Sequence, residues 1–313
     1  MKWIIGLATV IVFMMSAQTA SAGPLRDLIM KRFANRQSNE AQNEIEERTG
    51  TNSGFNLPSG VKLLRDIPYG PDSAQRMDVY IPKDANNAFV IFMVHGGAWS
   101  MGDKTNSGVI ENKVLRWLPK GIIIVSINYR MLPKTKVSDQ AKDVAMALTK
   151  AQILAESWGG NSSHFVLMGH SAGAHLIALL ASDPNIALDQ GAKPWLGAVF
   201  LDSAALDVVS IMESKHLRLY DKAFVSDPVY WQEVSPYHCL VGKPASILAV
   251  CSTRRQDSCS QARKYVAKVT ALGGQAEVLA VDMPHSQINK ELGLVGTYTE
   301  DVESFLRSLG FSL

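Results

Sequence analysis

From Gly60 onward the chain alternates short apolar runs with longer segments in which apolar residues recur at helical spacing. "VKLLRDI" and "QRMDVYI" switch between polar and apolar positions as half-exposed strands do, and the "YGPDS" turn between them predicts an antiparallel pair. The runs "AFVIFMVH", "GIIIVSINY", "HFVLMGH", "LGAVFLDS", "ASILAVCS" and "AEVLAVDM" are continuously apolar and rich in β-formers. That pattern predicts strands buried on both faces. Between them, "DQAKDVAMALTKAQILAESW" and "SAGAHLIALLA" read as helices. Eight strands, the last six alternating with helices, predict an α/β domain over 57–313 with one mostly parallel sheet covered on both sides. No internal repeat or second core is visible.

One stretch breaks the rhythm. Residues 206–240, between the sixth and seventh strands, carry Tyr220, Phe224, Tyr230, Trp231 and Tyr237 without a strand period. An aromatic insertion at the carboxyl edge of a parallel sheet is placed to cover a ligand crevice as a lid. Its aromatics can equally complete the core, and both readings stay open.

The N-terminus has a different pattern. Lys2, an apolar stretch from Ile4 to Met15 and the small residues Ala20, Ser21 and Ala22 have the layout of a signal peptide over 1–22. The stretch is short for a bilayer span. The expectation is export to the periplasm or beyond, with no stable membrane insertion after cleavage; an uncleaved anchor is the alternative. Residues 23–56 form a polar extension in which Leu25, Leu28, Ile29 and Phe33 fall at helical spacing.

Composition narrows the chemistry. The net charge of +2 comes from scattered Lys and Arg without a basic run, which argues against a nucleic-acid partner. No C-x-x-C, H-E-x-x-H or His/Cys cluster offers a metal site, and no cofactor motif is present. Export permits disulfides. The three cysteines are Cys239, Cys251 and Cys259, and a bridge between Cys251 and Cys259 would bracket one short loop. A Cys239–Cys259 pairing is the alternative.

"GHSAG", Gly169 to Gly173, lies between a predicted strand and a predicted helix. A sharp strand–turn–helix bend lifts the serine oxygen above the sheet edge, so Ser171 is the candidate nucleophile. "HGGAW", His95 to Trp99, ends the third strand. Its glycine-rich backbone can bring N–H groups to a developing oxyanion, with Gly97, Ala98 and Ala172 as candidate donors. A serine hydroxyl needs an oriented base, and His285 in "VDMPHSQ" comes after the last strand, where a loop reaches the same edge. Asp257, after the seventh strand, is the favoured orienting acid because it gives Ser, Asp and His on successive strand ends. Asp202, directly after the sixth strand, is its rival. Trp99 and His170, beside the turn and the elbow, are expected at the substrate pocket.

Together "VHGGAWSMGDK", "VSINYRMLP", "GHSAGAHL", "LDSAALDV" and "MPHSQIN" resemble α/β-hydrolase serine esterases, the group of hormone-sensitive-lipase-like carboxylesterases and bacterial feruloyl or acetyl esterases. The resemblance covers roughly 61–309. It implies an α/β-hydrolase fold and cleavage of small-molecule carboxylic esters, short-chain, aryl or carbohydrate, through an acyl-serine without a cofactor. It also implies Ser171 as nucleophile, Asp257 as acid, His285 as base, and Gly97, Ala98 and Ala172 around the oxyanion. Many lipase-like members carry H-G-G-G where this chain has Ala98 and Trp99. H-G-G-x-W also resembles arylformamidases, so an amide hydrolase is the alternative, and a non-catalytic binding protein on the same fold is another.

Overall fold

In the computed structural model, which describes Leu28 and residues 55–313, each apolar run becomes a strand. They are β1 Lys62–Pro68, β2 Arg76–Ile81, β3 Ala88–Val94, β4 Ile123–Ile127, β5 Gly160–His170, β6 Gly197–Leu201, β7 Ser246–Ser252 and β8 Ala276–Val281. The expected signal peptide and nearly all of the polar extension lie outside the described residues. The chain divides into two units, Met1–Ala41 and Gln42–Leu313, and these eight strands all belong to the second.

The strands join in the order β1-β2-β4-β3-β5-β6-β7-β8. β1 runs antiparallel to β2 with Lys62 opposite Ile81, and β2 runs antiparallel to β4. Every later pairing is parallel. Over residues 55–313 the α-helices are α1 Ser107–Trp117, α2 Val137–Leu154, α3 Ala172–Ser182, α4 Asn185–Leu188, α5 Val208–Met212, α6 Arg218–Phe224, α7 Pro228–Glu233, α8 Pro236–Cys239, α9 Ser258–Ala271, α10 His285–Lys290 and α11 Thr297–Ser308.

Period-two alternation along β3 divides the core into two layers. Val90, Phe92 and Val94 face one side, with Val144 and Leu148 of α2, Ile177 and Leu180 of α3, and Tyr265 and Val269 of α9. Ile91 and Met93 face the other, with Val114 and Trp117 of α1 and Val302 and Leu306 of α11. β8 departs from the sequence expectation. It pairs on one side only, with β7, and its residues are half-buried or exposed because it closes the edge of the sheet.

The insertion is helical, α5 to α8, and its ends meet where Tyr237 N donates to Leu206 O at 2.7 Å. Tyr220, Phe224 and Tyr230 are buried in the first core layer, and Trp231 and Tyr237 pack partly against it. The insertion's aromatics thus complete the core. The parallel arrangement sends the turns after β3, β5, β6, β7 and β8 to one edge, where an open α/β sheet places its site.

Candidate active site

The elbow is built by its glycines. A side chain at Gly173 would put a Cβ 2.3 Å from Val94 O and 2.5 Å from His95 O, so only glycine lets the start of α3 rest against the end of β3. A Cβ at Gly169 would lie 2.6 Å from the Gly173 carbonyl, which closes the same bend from the other side. Ser171 sits between them at φ 53° and ψ −116°, anchored by Ser171 N donating to Leu201 O at 2.9 Å. From Phe165 to Ser182 every residue is buried except Ser171, which is half-buried. The bend therefore exposes one hydroxyl at the head of a helix whose first N–H groups have no partner within the helix.

The turn after β3 is equally unusual. Gly97, Ala98 and Trp99 all have positive φ, 109°, 49° and 58°. Ala98 is half-buried and Ala172 buried. Gln140 Nε2 and Leu132 N both donate to Trp99 O at 2.9 Å and pin the turn. Four of the eight non-glycine residues with positive φ among the described residues, Ala98, Trp99, Ser171 and Asp202, gather here. Each such conformation costs about 1–3 kcal/mol, and this kind of strain clusters at functional sites.

The two residues expected at the substrate pocket are both buried. His170 donates from Nε2 to His285 O at 3.0 Å, and the two rings lie 4.4 Å apart. Trp99 turns into the core and donates from Nε1 to His175 Nδ1 at 3.2 Å, with the Phe224 ring at 5.0 Å and the Tyr220 ring at 6.1 Å. Since His175 Nδ1 accepts, its Nε2 carries the proton and donates to Val234 O at 2.8 Å. Burial holds that imidazole down to about 4 against the pull of the Val234 carbonyl. His175 thus ties α3, the β3 turn and the insertion together as a neutral ring.

His285 begins α10, and its Nδ1 lies 2.6 Å from Asp202 Oδ2. An ionised carboxylate only accepts, so Nδ1 carries the proton and Nε2 keeps its lone pair for an incoming hydroxyl. The expected pairing of His285 with Asp257 is corrected here: the carboxylate seated on the ring is Asp202's. Asp257 stands at the N-cap of α9, half-buried, with its carbonyl accepting from Gln261 N at 2.9 Å. The physical reason is reach. Asp202 is the first residue beyond β6 and turns through φ 57°, whereas Asp257 comes well after β7 has ended at Ser252.

The loop after β7 instead supplies donors to Asp202. Ser252 N reaches Oδ1 at 2.8 Å, Ser258 Oγ reaches the same oxygen, and Arg255 Nη1 donates to Oδ2 and to the Asp202 carbonyl, both at 3.0 Å. Burial works to raise the Asp202 carboxyl, yet the Arg255 charge and the bonds from His285 and Ser258 hold it well below the usual carboxylate range. Burial, the Arg255 charge and His170 hold His285 down to about 4 against Asp202. Arg255, Ser252 and Ser258 are not among the residues singled out from the sequence; the signal for them was "CSTRRQDSC", two arginines and two serines between two cysteines.

Those cysteines close the loop. Cys251 and Cys259 are joined, with Cα atoms 5.0 Å apart, and Cys239 is a half-buried free thiol. Closing so short a loop removes about 2.5 kcal/mol of unfolded-chain freedom. Reduction is therefore expected to lower Tm by roughly 4 °C. It should also lower kcat more than it raises KM, because the donors to Asp202 lie inside the loop. Thermal melts and steady-state kinetics with and without dithiothreitol check this; a reduced protein with unchanged kcat would detach the loop from the site.

The chain is similar to known proteins over part or most of its length. The BD-FAE family model matches residues 77–222, a span that holds the β3 turn, the elbow and Asp202. A probable isoprenylcysteine alpha-carbonyl methylesterase, ICME, of Oryza sativa subsp. japonica is 29% identical over 172 residues, 53% of this chain and 41% of that protein. A kynurenine formamidase of Danio rerio is 27% identical over 157 residues, 50% of each protein. The chain thus spans at most about half the length of these two curated relatives. Esterase B from Lactobacillus rhamnosis shares the fold with a TM-score of 0.68 at 18% identity, over 88% of this chain and 93% of that one. By sheet order and elbow the chain has the α/β-hydrolase fold, and over part of its length it is similar in sequence to esterases and to a formamidase.

Proposed function

We propose that this protein hydrolyses carboxylic esters through an acyl-enzyme on Ser171. The observation that carries the reading is the 2.6 Å bond from His285 Nδ1 to the buried Asp202, on a histidine whose ring lies 4.4 Å from that of His170 in the elbow. His285 Nε2 takes the hydroxyl proton as Ser171 Oγ bonds to the substrate carbonyl carbon, and the carbonyl π electrons move onto its oxygen. Backbone N–H groups of the β3 turn and of Ala172 receive that charge, each donor contributing about 3 kcal/mol. The oxyanion then collapses, the bond to the alkoxy group breaks, and His285 delivers the proton to the departing alcohol. Water repeats the sequence with the acyl-serine, releasing the carboxylic acid and restoring Ser171. Asp202 stays ionised and keeps the imidazole in one tautomer and orientation.

The substrate class is argued from the side chains that fill the space behind the turn. Trp99 packs edge to face against Phe224, and Phe224 stacks on Tyr220, so that aromatic rings fill the core behind the turn. We expect p-nitrophenyl acetate to butyrate to exceed the decanoate at least tenfold in kcat/KM. A panel of acyl lengths tests this, and a steady rise through the long chains would favour a lipase instead. The second reading, an amide hydrolase, is kept by the formamidase relative. Assaying an aryl ester beside an N-formyl aromatic amine separates the two, and the ester is expected to be the better substrate. A disulfide at Cys251–Cys259 also suits an oxidising compartment outside the cytoplasm.

A further inference from the structure

Arg255 Nη1 lies within 3.1 Å of three atoms of the site: Asp202 Oδ2 and Asp202 O, both at 3.0 Å, and His285 Nδ1 at 3.1 Å. Its side chain is largely buried at 16% exposure, and that of Asp202 is fully buried. Guanidinium donates only, and Nδ1 already carries the proton given to Asp202, so no hydrogen bond can form between Nη1 and Nδ1. The contact places a permanent positive charge against the ring that must itself become positive when it takes the serine proton. The same guanidinium braces the carboxylate that holds the ring.

We propose that Arg255 is a positioning residue for the Asp202–His285 pair, fixing the carboxylate and setting the pH range over which His285 acts as a base. The inference rests on the esterase reading above. Two opposed effects come from one charge. A cation 3.1 Å from Nδ1 disfavours the imidazolium and extends the neutral, proton-accepting ring toward acid. Bonds to Oδ2 and to the Asp202 carbonyl keep that residue in its left-handed turn.

His170 also acts to hold His285 down, but an imidazole is not a permanent cation as the Arg255 guanidinium is. His170 at the end of β5 spends Nε2–H on the His285 carbonyl. Ser258 on α9 and Ser252 are neutral donors to Asp202. Tyr298 on α11 donates its hydroxyl to Ile288 O. Arg254 pairs with Asp282 at 2.8 Å, so those two charges of the flanking loops are matched to each other. Asp257, two residues on in the same loop, is an acidic residue and brings no positive charge. Arg255 is thus the cation bonded directly to the catalytic carboxylate.

The test is the pH profile of kcat/KM for Arg255→Gln and Arg255→Lys on p-nitrophenyl butyrate, with Ser171→Ala run in parallel. The acid limb, which reports the base of the free enzyme, is expected near pH 4 in the parent. In Arg255→Gln it should move up by about one pH unit or more, and Arg255→Lys, which keeps the charge, should bring it back toward the parent. Arg255→Gln and parent limbs that superimpose, with equal kcat, would overturn the role of Arg255. If Ser171→Ala kept full activity, the esterase reading itself would fall, and the two failures are thereby told apart. Should Arg255→Gln not fold, Arg255→Met in the Ser171→Ala background, with His285 titrated by NMR, decides: a midpoint about one pH unit or more above that of Ser171→Ala supports the proposal, and an equal midpoint overturns it.

Discussion

Ser171→Ala protein is expected to fold like the parent and to lose about 10⁵–10⁶-fold in kcat on any ester the parent cleaves. The size of the loss comes from what remains. In the proposed mechanism the backbone N–H groups of the β3 turn and Ala172 and the His285 base are all retained, but no oxygen is there to bond to the acyl carbon. Oxyanion stabilisation and binding alone leave a residual of about 10³–10⁴ over water. The fold should be unaffected, because Ser171 contributes its backbone to the elbow, through the N–H to Leu201 O, and alanine keeps that bond. Alanine also keeps the strained φ of 53°, so the turn is neither relieved nor redirected. Circular dichroism and thermal melts check the fold, and kinetics check the loss. A fluorophosphonate probe should label the parent and leave the variant unlabelled. Labelling at another residue with activity retained would remove Ser171 from the nucleophile's place.

The parts of this site readable in the sequence are those fixed by local geometry. Gly169, Ser171 and Gly173 are written into a bend whose sterics act within a few residues, and the flanking runs say which side is strand and which is helix. The sheet is equally readable, since continuous apolar runs leave few alternatives to buried parallel strands. β8 misleads because its sequence resembles the central strands while its lower burial comes from its place at the edge, a property of topology. The aromatics of the insertion leave lid and core undecided. Trp99, Phe224, Tyr220 and His175 meet across long sequence separations that no local period records. The acid is the hardest to read. Asp202 and Asp257 both give the chain order serine, acid, histidine, so order cannot choose between them. What chooses is the convergence of Ser252, Arg255 and Ser258 on one carboxylate, seen only when β6 and β7 lie side by side.

That choice yields the second large effect: Asp202→Asn should lower kcat by about 10⁴, whereas Asp257→Asn should stay within about threefold of the parent. Asparagine is close to isosteric, so packing in the fully buried site survives the change. Its amide can present either an oxygen or an NH₂ group to Nδ1. With the charge gone, the NH₂ group can donate to Nδ1 and move the ring proton to Nε2, where the ring can no longer accept from Ser171. Arg255 adds to the damage, because a guanidinium that has lost its carboxylate lies 3.1 Å from the ring with nothing to offset it. Leaving a buried charge unpaired also costs about 3–5 kcal/mol, so Tm should drop in Asp202→Asn as well. Asp257→Asn keeps the Asp257 carbonyl that accepts from Gln261 N and leaves the 2.6 Å bond between His285 and Asp202 in place. Parallel kinetics and melts of the two variants decide between the acids. A collapse of Asp257→Asn with Asp202→Asn within tenfold of the parent would return the role to the loop after β7 and leave the 2.6 Å contact as a structural ion pair.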